Sequence, residues 1–294
     1  MTGLLKPTQD IVFQELFGKQ KNKDITAHLI SLILNKEIKN IDLDINKRML
    51  GNSEDSKTGR LDIRAKFNNG EDCNIELQVE HYNFMPQRML NYWANMYSSK
   101  ITAGQEYDIL KPSISILITT FKLPQIKSID NYHSVWNLRE STNSELVLTN
   151  NIEMHILEIP KIKKDILIND ELVQWLKFIK NPEDAEVEKI MEENKYYKQA
   201  KEELAYLSGD PDFQRLVESR AGFLMDQECY QRQIRDEALA EGHAQGRAEG
   251  RAEGEKLGKI EEKLQLAKKL KSKNMPIDEI IELTGLNEDD IIKL

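Results

Sequence analysis

The sequence predicts an α/β fold: a mixed sheet flanked by helices, followed by a C-terminal helical tail. Three observations lead there. Hydrophobic spacing switches from helical to two-residue alternation and back within the first half of the chain. Strand-like runs there are separated by a helical segment, which implies a mixed rather than a purely antiparallel sheet. The remainder is charged, helical in pattern and periodic in glycine.

Residues 8–18 (TQDIVFQELFG) place Ile11, Val12, Leu16 and Phe17 at helical spacing, with Thr8 as the expected N-cap and Gly18 as the stop. Residues 24–35 (DITAHLISLILN) form a second amphipathic helix. The period then becomes two. In RLDIRAKF (60–67) Leu61, Ile63, Ala65 and Phe67 share one face, and Arg60, Asp62, Arg64 and Lys66 the other. In CNIELQVE (73–80) Cys73, Ile75, Leu77 and Val79 oppose Asn74, Glu76, Gln78 and Glu80. With Asn68-Asn69-Gly70-Glu71-Asp72 as the turn, this reads as a β-hairpin with one apolar and one polar face.

Its register is constrained. Directly opposed residues of an antiparallel pair share a face. A strict two-residue Asn69-Gly70 turn would set Asp62 against Leu77 and mix the faces. An odd-length loop is expected instead, with Asp62 opposite Glu76 or Gln78.

Residues 86–103 look helical, with Pro86 acceptable in the first turn. PSISILITTF (112–121) and MHILEI (154–159) read as further strands. Beyond them, Ser208-Gly209-Asp210-Pro211 breaks a helical pattern that resumes as one helix. Gly242, Gly246, Gly250, Gly254 and Gly258 recur every four residues, a stripe of small residues suited to close helix–helix approach. Two short helices then meet at Thr284-Gly285-Leu286. The organisation expected is therefore 1–170 as the α/β body and 171–240 as a helical region. Residues 241–262 form the glycine-tetrad repeat, and 263–294 a small helix-turn-helix-like end.

Composition narrows the function. The chain has 294 residues, 39% hydrophobic and 31% charged, a globular balance. A net charge of −9 argues against a strongly cationic nucleic-acid binder, although local basic patches decide such contacts. Cys73 and Cys229 make neither a disulfide framework nor a CxxC metal knuckle. No secretory leader, long apolar span or GxxxxGK[ST] loop appears, so a cytoplasmic protein without membrane or ATP-motor function is expected.

One constellation carries chemistry. Asp62, Glu76 and Gln78 share the hairpin's polar face. Carboxylates on adjacent strands converge, which is what a hard divalent cation needs, and Mg²⁺ so held keeps waters for a phosphate. Such a metal can polarise a phosphoryl oxygen and acidify a bound water. The competing reading is that these charges are simply a solvated strand face.

An Asp followed by Glu-x-Lys on a hairpin behind an N-terminal helix is the PD-(D/E)xK nuclease pattern. This chain resembles the Rpn family of recombination-promoting nucleases. The resemblance rests on KPTQDIVFQELFG (6–18), GRLDIRA (59–65), NIELQVE (74–80), RMLNYWANMY (88–97) and GQEYDILKPSISILIT (104–119). It covers about the first 160 residues, and the glycine tetrads also fit members of that group.

The resemblance implies a restriction-endonuclease-like core and a Mg²⁺-dependent DNA endonuclease, with other divalent metals as substitutes. It assigns metal binding to Asp62 and Glu76, with Asp10 of the first helix completing the acidic site and Glu15 as a weaker candidate. Gln78 stands at the superfamily's lysine position. It cannot act as a base, but it can hydrogen-bond a metal-bound water. Arg88, early in the next helix, is a candidate DNA-phosphate contact, against an ion-pair role. A homodimer or higher homo-oligomer through the tail is the expected assembly. The alternatives are a catalytically weak DNA-binding protein and an oligomeric interaction module. Strand transfer, which a transposase label would imply, is not something these residues show.

Overall fold

The computed structural model describes residues 3–45, 63–80, 83–163 and 170–294. They form two compact units, Met1–Arg220 and Ala221–Leu294.

The first unit is built on a six-stranded mixed sheet: β1 Ile41–Ile45, β2 Ile63–Phe67, β3 Asp72–Gln78, β4 Ser113–Thr119, β5 His133–Arg139 and β6 Val147–Glu158. The strand order is β1-β2-β3-β4-β6-β5. The β1/β2, β2/β3 and β5/β6 pairs are antiparallel, while β3/β4 and β4/β6 are parallel. The parallel β3/β4 step is made possible by a crossover helix, α3 (Met85–Ser98). Two helices precede the sheet, α1 (Asp10–Gly18) and α2 (Lys23–Leu34); α4 (Glu171–Lys180), α5 (Ala185–Met191) and α6 (Lys195–Gly209) follow it.

Local chemistry explains most boundaries. α2 ends on Asn35 in the left-handed region (φ 48°), whose N–H donates to Ser31 O. α1 corrects the expected cap: the N-cap residue is Gln9, not Thr8, and no side chain caps the helix. Asp10 in its first turn still meets the helix dipole favourably. The β2–β3 register runs Ile63↔Ile75, Arg64↔Asn74, Ala65↔Cys73 and Lys66↔Asp72. Phe67 N–H donates to Glu71 O and Gly70 N–H to Phe67 O, so the loop is the odd-length Asn68-Asn69-Gly70. Gly70 sits at φ 84°, where a glycine is required. Asp62, Leu61 and Arg60 lie outside the described residues.

Two cores cover the two faces of the sheet. On one, Ile63, Ala65, Cys73, Ile75, Ile116 and Leu157 join Phe13, Phe17, Leu29, Trp175, Phe178 and Tyr197 from the helices. On the other, Met85 and Met89 of α3 pack with Leu117, Leu123, Ile126 and Ile156. The reading of the hairpin's polar face as simply solvated fails at Glu76 and Gln78, each 4% exposed beside the first turn of α3, whereas Lys66 and Glu80 of the same face are exposed.

Other differences are local. α3 stops at Ser98 rather than running to 103. β6 starts seven residues before Met154, and β1 and β5 had no counterpart in the sequence reading.

α7 (Pro211–Ser272) opens with the Asp210 side chain accepting the Asp212 and Phe213 N–H groups. Its glycine tetrads are helical, and a Cβ at Gly242, Gly246, Gly250, Gly254 or Gly258 would meet nothing within 4 Å. In the second unit Ala267 of α7 packs against Ile280 of α8 (Ile277–Thr284) and Ile291 of α9 (Glu288–Ile292). Gly285, at φ 65°, ends α8, and Lys271 Nζ donates to the Ile291 and Ile292 carbonyls at the end of α9.

Candidate functional site

Glu76 and Gln78 stand two residues apart on β3, which places them on one face of the strand. Both are buried, and the Gln78 amide Nε2 donates to Glu76 Oε1. The same oxygen lies 2.6 Å from Nη2 of Arg88. Arg88 comes from the first turn of α3, and its guanidinium carbon is 4.9 Å from the centroid of Tyr92, one helical turn on. A carboxylate, an amide and a guanidinium therefore meet where Arg88 of the first turn of α3 reaches β3. The carboxylate and the amide carbonyl are the donor types that a hard divalent cation takes.

The other residues singled out from the sequence are placed as follows. Asp62, one residue before β2, lies outside the described residues. Asp10 Oδ2 accepts two hydrogen bonds from Arg220 of α7, Nε at 2.9 Å and Nη2 at 2.8 Å, while Oδ1 takes the Ile11 N–H. Glu15 pairs with Lys19 one turn along α1, at 2.8 Å. Among the described residues no group of three His, Cys, Asp or Glu side chains is arranged to hold a metal ion.

Three polar clusters were missed. The first lies at the start of β3, where Asp72 accepts from Arg64 Nη2 (2.7 Å) and Ser113 Oγ (2.8 Å) and stands 2.5 Å from Lys100 Nζ. Lys100 also donates to the Lys111 and Pro112 carbonyls. This hub ties the segment after α3 to the sheet. The sequence places Asp72 in the turn, whereas its pairing with Lys66 and Ser113 puts it inside the ladder.

The second is at the end of β6. Glu158, 1% exposed, accepts the Leu123 N–H at 2.7 Å and pairs with Lys161, whose Nζ also reaches Ile126 O. The third runs Glu153–His155–His133 through contacts of 2.7 and 2.8 Å. Burial, reinforced by His155, pushes the His133 imidazole down to about 4. The hydrogen bond from His155 is the main cause holding the Glu153 carboxyl below its ordinary value. Histidines at spacings that form no ligand motif gave no signal for this arrangement.

A family model described as PD-(D/E)XK nuclease family transposase matches residues 7–233. No curated protein matches the chain. No solved structure matches it either. The family is one of nucleases, which act on nucleic acid and generally use divalent metals. No helix among the described residues is long and apolar enough to cross a membrane.

Proposed function

Because the chain belongs to the PD-(D/E)XK nuclease family transposases, we propose that it is a Mg²⁺-dependent DNA endonuclease centred on Glu76 and Gln78. The observation that carries this reading is the buried meeting of Glu76, Gln78 and Arg88 under α3. Glu76 would hold the metal, with Asp62 as the second carboxylate.

A bound divalent cation supplies charge at the phosphoryl oxygen and a more acidic water. Gln78, uncharged, would orient that water by hydrogen bonding, and the partly buried Arg88 would meet phosphate. Asp10 enters the proposal as an additional carboxylate. Its fork from Arg220 supports a second role, linking α1 to α7.

Self-association of two or more copies through α7 belongs to the same proposal, supported by the open stripe of tetrad glycines. So does a cytoplasmic setting. The engagement of Glu76 Oε1 by both Gln78 and Arg88 favours one alternative, a DNA-binding or oligomeric interaction protein with little catalysis.

The experiment is cleavage of supercoiled plasmid with and without Mg²⁺, beside Asp62→Ala. Metal-dependent nicking lost in the variant supports the nuclease reading. DNA affinity without cleavage supports the alternative. Sedimentation of the full chain tests association separately.

A further inference from the structure

Arg88 is held in an ill-matched position. A guanidinium offers five N–H donors in a planar fork that fits carboxylate or phosphate oxygens two at a time. Here Nη2 approaches Glu76 Oε1 to 2.6 Å, yet neither Nη2 nor Nε makes a hydrogen bond among the described residues, and both atoms are buried. The side chains are 17% exposed at Arg88 and 5% at Glu76. The contact is therefore one of charge against charge, supplemented by stacking on Tyr92, which does not depend on Glu76. A divalent cation on Glu76 would share the carboxylate with a like charge. At such separations in a buried site, the two are strongly opposed.

Resting on the reading of Glu76 as a metal ligand, we propose that Arg88 and the divalent cation exchange at Glu76: the guanidinium neutralises the carboxylate until the cation displaces it, and the freed fork then pairs with a phosphate of the DNA strand. Arg88 is then a positioning residue that couples metal loading to DNA contact. Tyr92 gives the released side chain a place to rest on its own helix. The phosphate satisfies donors that Glu76 leaves without partners.

The test uses the full chain and a readout other than cleavage. Phenylglyoxal modifies exposed guanidinium groups, and mass spectrometry of the peptide containing Arg88 reports its labelling with and without Mg²⁺. Mn²⁺ binding is titrated in parallel on wild type, Glu76→Gln and Arg88→Met. The exchange predicts that Mg²⁺ raises Arg88 labelling several-fold in wild type. Adding DNA in Ca²⁺ suppresses the labelling again. Removing the competing charge in Arg88→Met tightens Mn²⁺ binding by roughly tenfold.

Labelling that stays flat or falls on adding Mg²⁺, with Mn²⁺ binding intact, overturns the exchange and leaves a fixed ion pair. Failure of DNA to suppress labelling overturns the phosphate contact. Glu76→Gln that binds Mn²⁺ as tightly as wild type overturns the metal reading itself, a different result from either. The wild-type labelling needs no variant to fold.

Discussion

Replacing Asp72 by Asn should destabilise the first unit by about 2–3 kcal/mol, a value worked from the hub it anchors. Asp72 is 3% exposed and engages Arg64, Lys100 and Ser113 at 2.7, 2.5 and 2.8 Å. Removing one partner of a buried ion pair typically costs about 3–5 kcal/mol, because a charge is left unpaired. Two features lower that figure here. Arg64 and Lys100 are 30% and 15% exposed, so water screens part of the loss, and Asn keeps an acceptor for Ser113. For a unit of this size, 2–3 kcal/mol corresponds to a fall in Tm of roughly 4–12 °C.

Urea unfolding followed by tryptophan fluorescence reads the loss, since Trp175 sits in the main core and Trp93 donates to Ser113 O beside the hub. Lys100→Met in the Asp72→Asn background should cost less than the two single changes added together, by about 1–2 kcal/mol, because the orphaned cation goes too. A loss below about 0.5 kcal/mol for Asp72→Asn, or strict additivity in the double variant, would make the hub no stronger than an ordinary surface pair.

Glu158→Gln should cost about 3–5 kcal/mol in the same assay, because Lys161 would remain buried without its carboxylate. Hydrogen exchange at Leu123 should rise with it, since that N–H bonds Glu158. Acid should weaken the fold through His133. Its pKa is lowered from 6.5 to about 4, so the unfolded chain binds the extra proton between those values. Stability therefore falls as pH drops from 6.5 towards 4 and levels off below, by on the order of 3 kcal/mol at most. His133→Gln should flatten the slope of the urea midpoint in that window, and an unchanged slope would assign the acid sensitivity to other groups. In the second unit, Ile280→Ala should remove about 2–4 kcal/mol from a small core and strip hydrogen-exchange protection from Ile277–Ile292. Protection in the first unit should be untouched.

The parts of the fold legible in the sequence are those where one periodicity dominates. α2 and the β2–β3 hairpin showed themselves in this way; β4 showed as an apolar run, and the paired C-terminal helices through the turn residues that separate them. The odd-length turn followed from requiring both hairpin faces to stay unmixed, and the observed register agrees. β5 escaped because it is an edge strand with most of its side chains exposed, leaving no buried alternation to detect. β1 is short and polar at alternate positions, and its pairing with β2 is a long-range contact.

The candidate site was half legible for a similar reason. Alternation put Glu76 and Gln78 on one face, and they do meet. Their burial depends on α3 crossing from elsewhere in the chain, which no local pattern reveals. For Arg88 the sequence offers a phosphate contact or an ion pair, without naming the ion-pair partner. Its approach to Glu76 needs the crossover itself.

The central claim is that Glu76 is the acidic heart of a metal-dependent DNA nuclease. Its most direct test is Mg²⁺-dependent cleavage of supercoiled plasmid by wild type and by Glu76→Gln, both verified as folded by circular dichroism. Wild type should cut only with the metal, and the variant should lose roughly 10²-fold or more of the rate. Equal cleavage by the two proteins would contradict it.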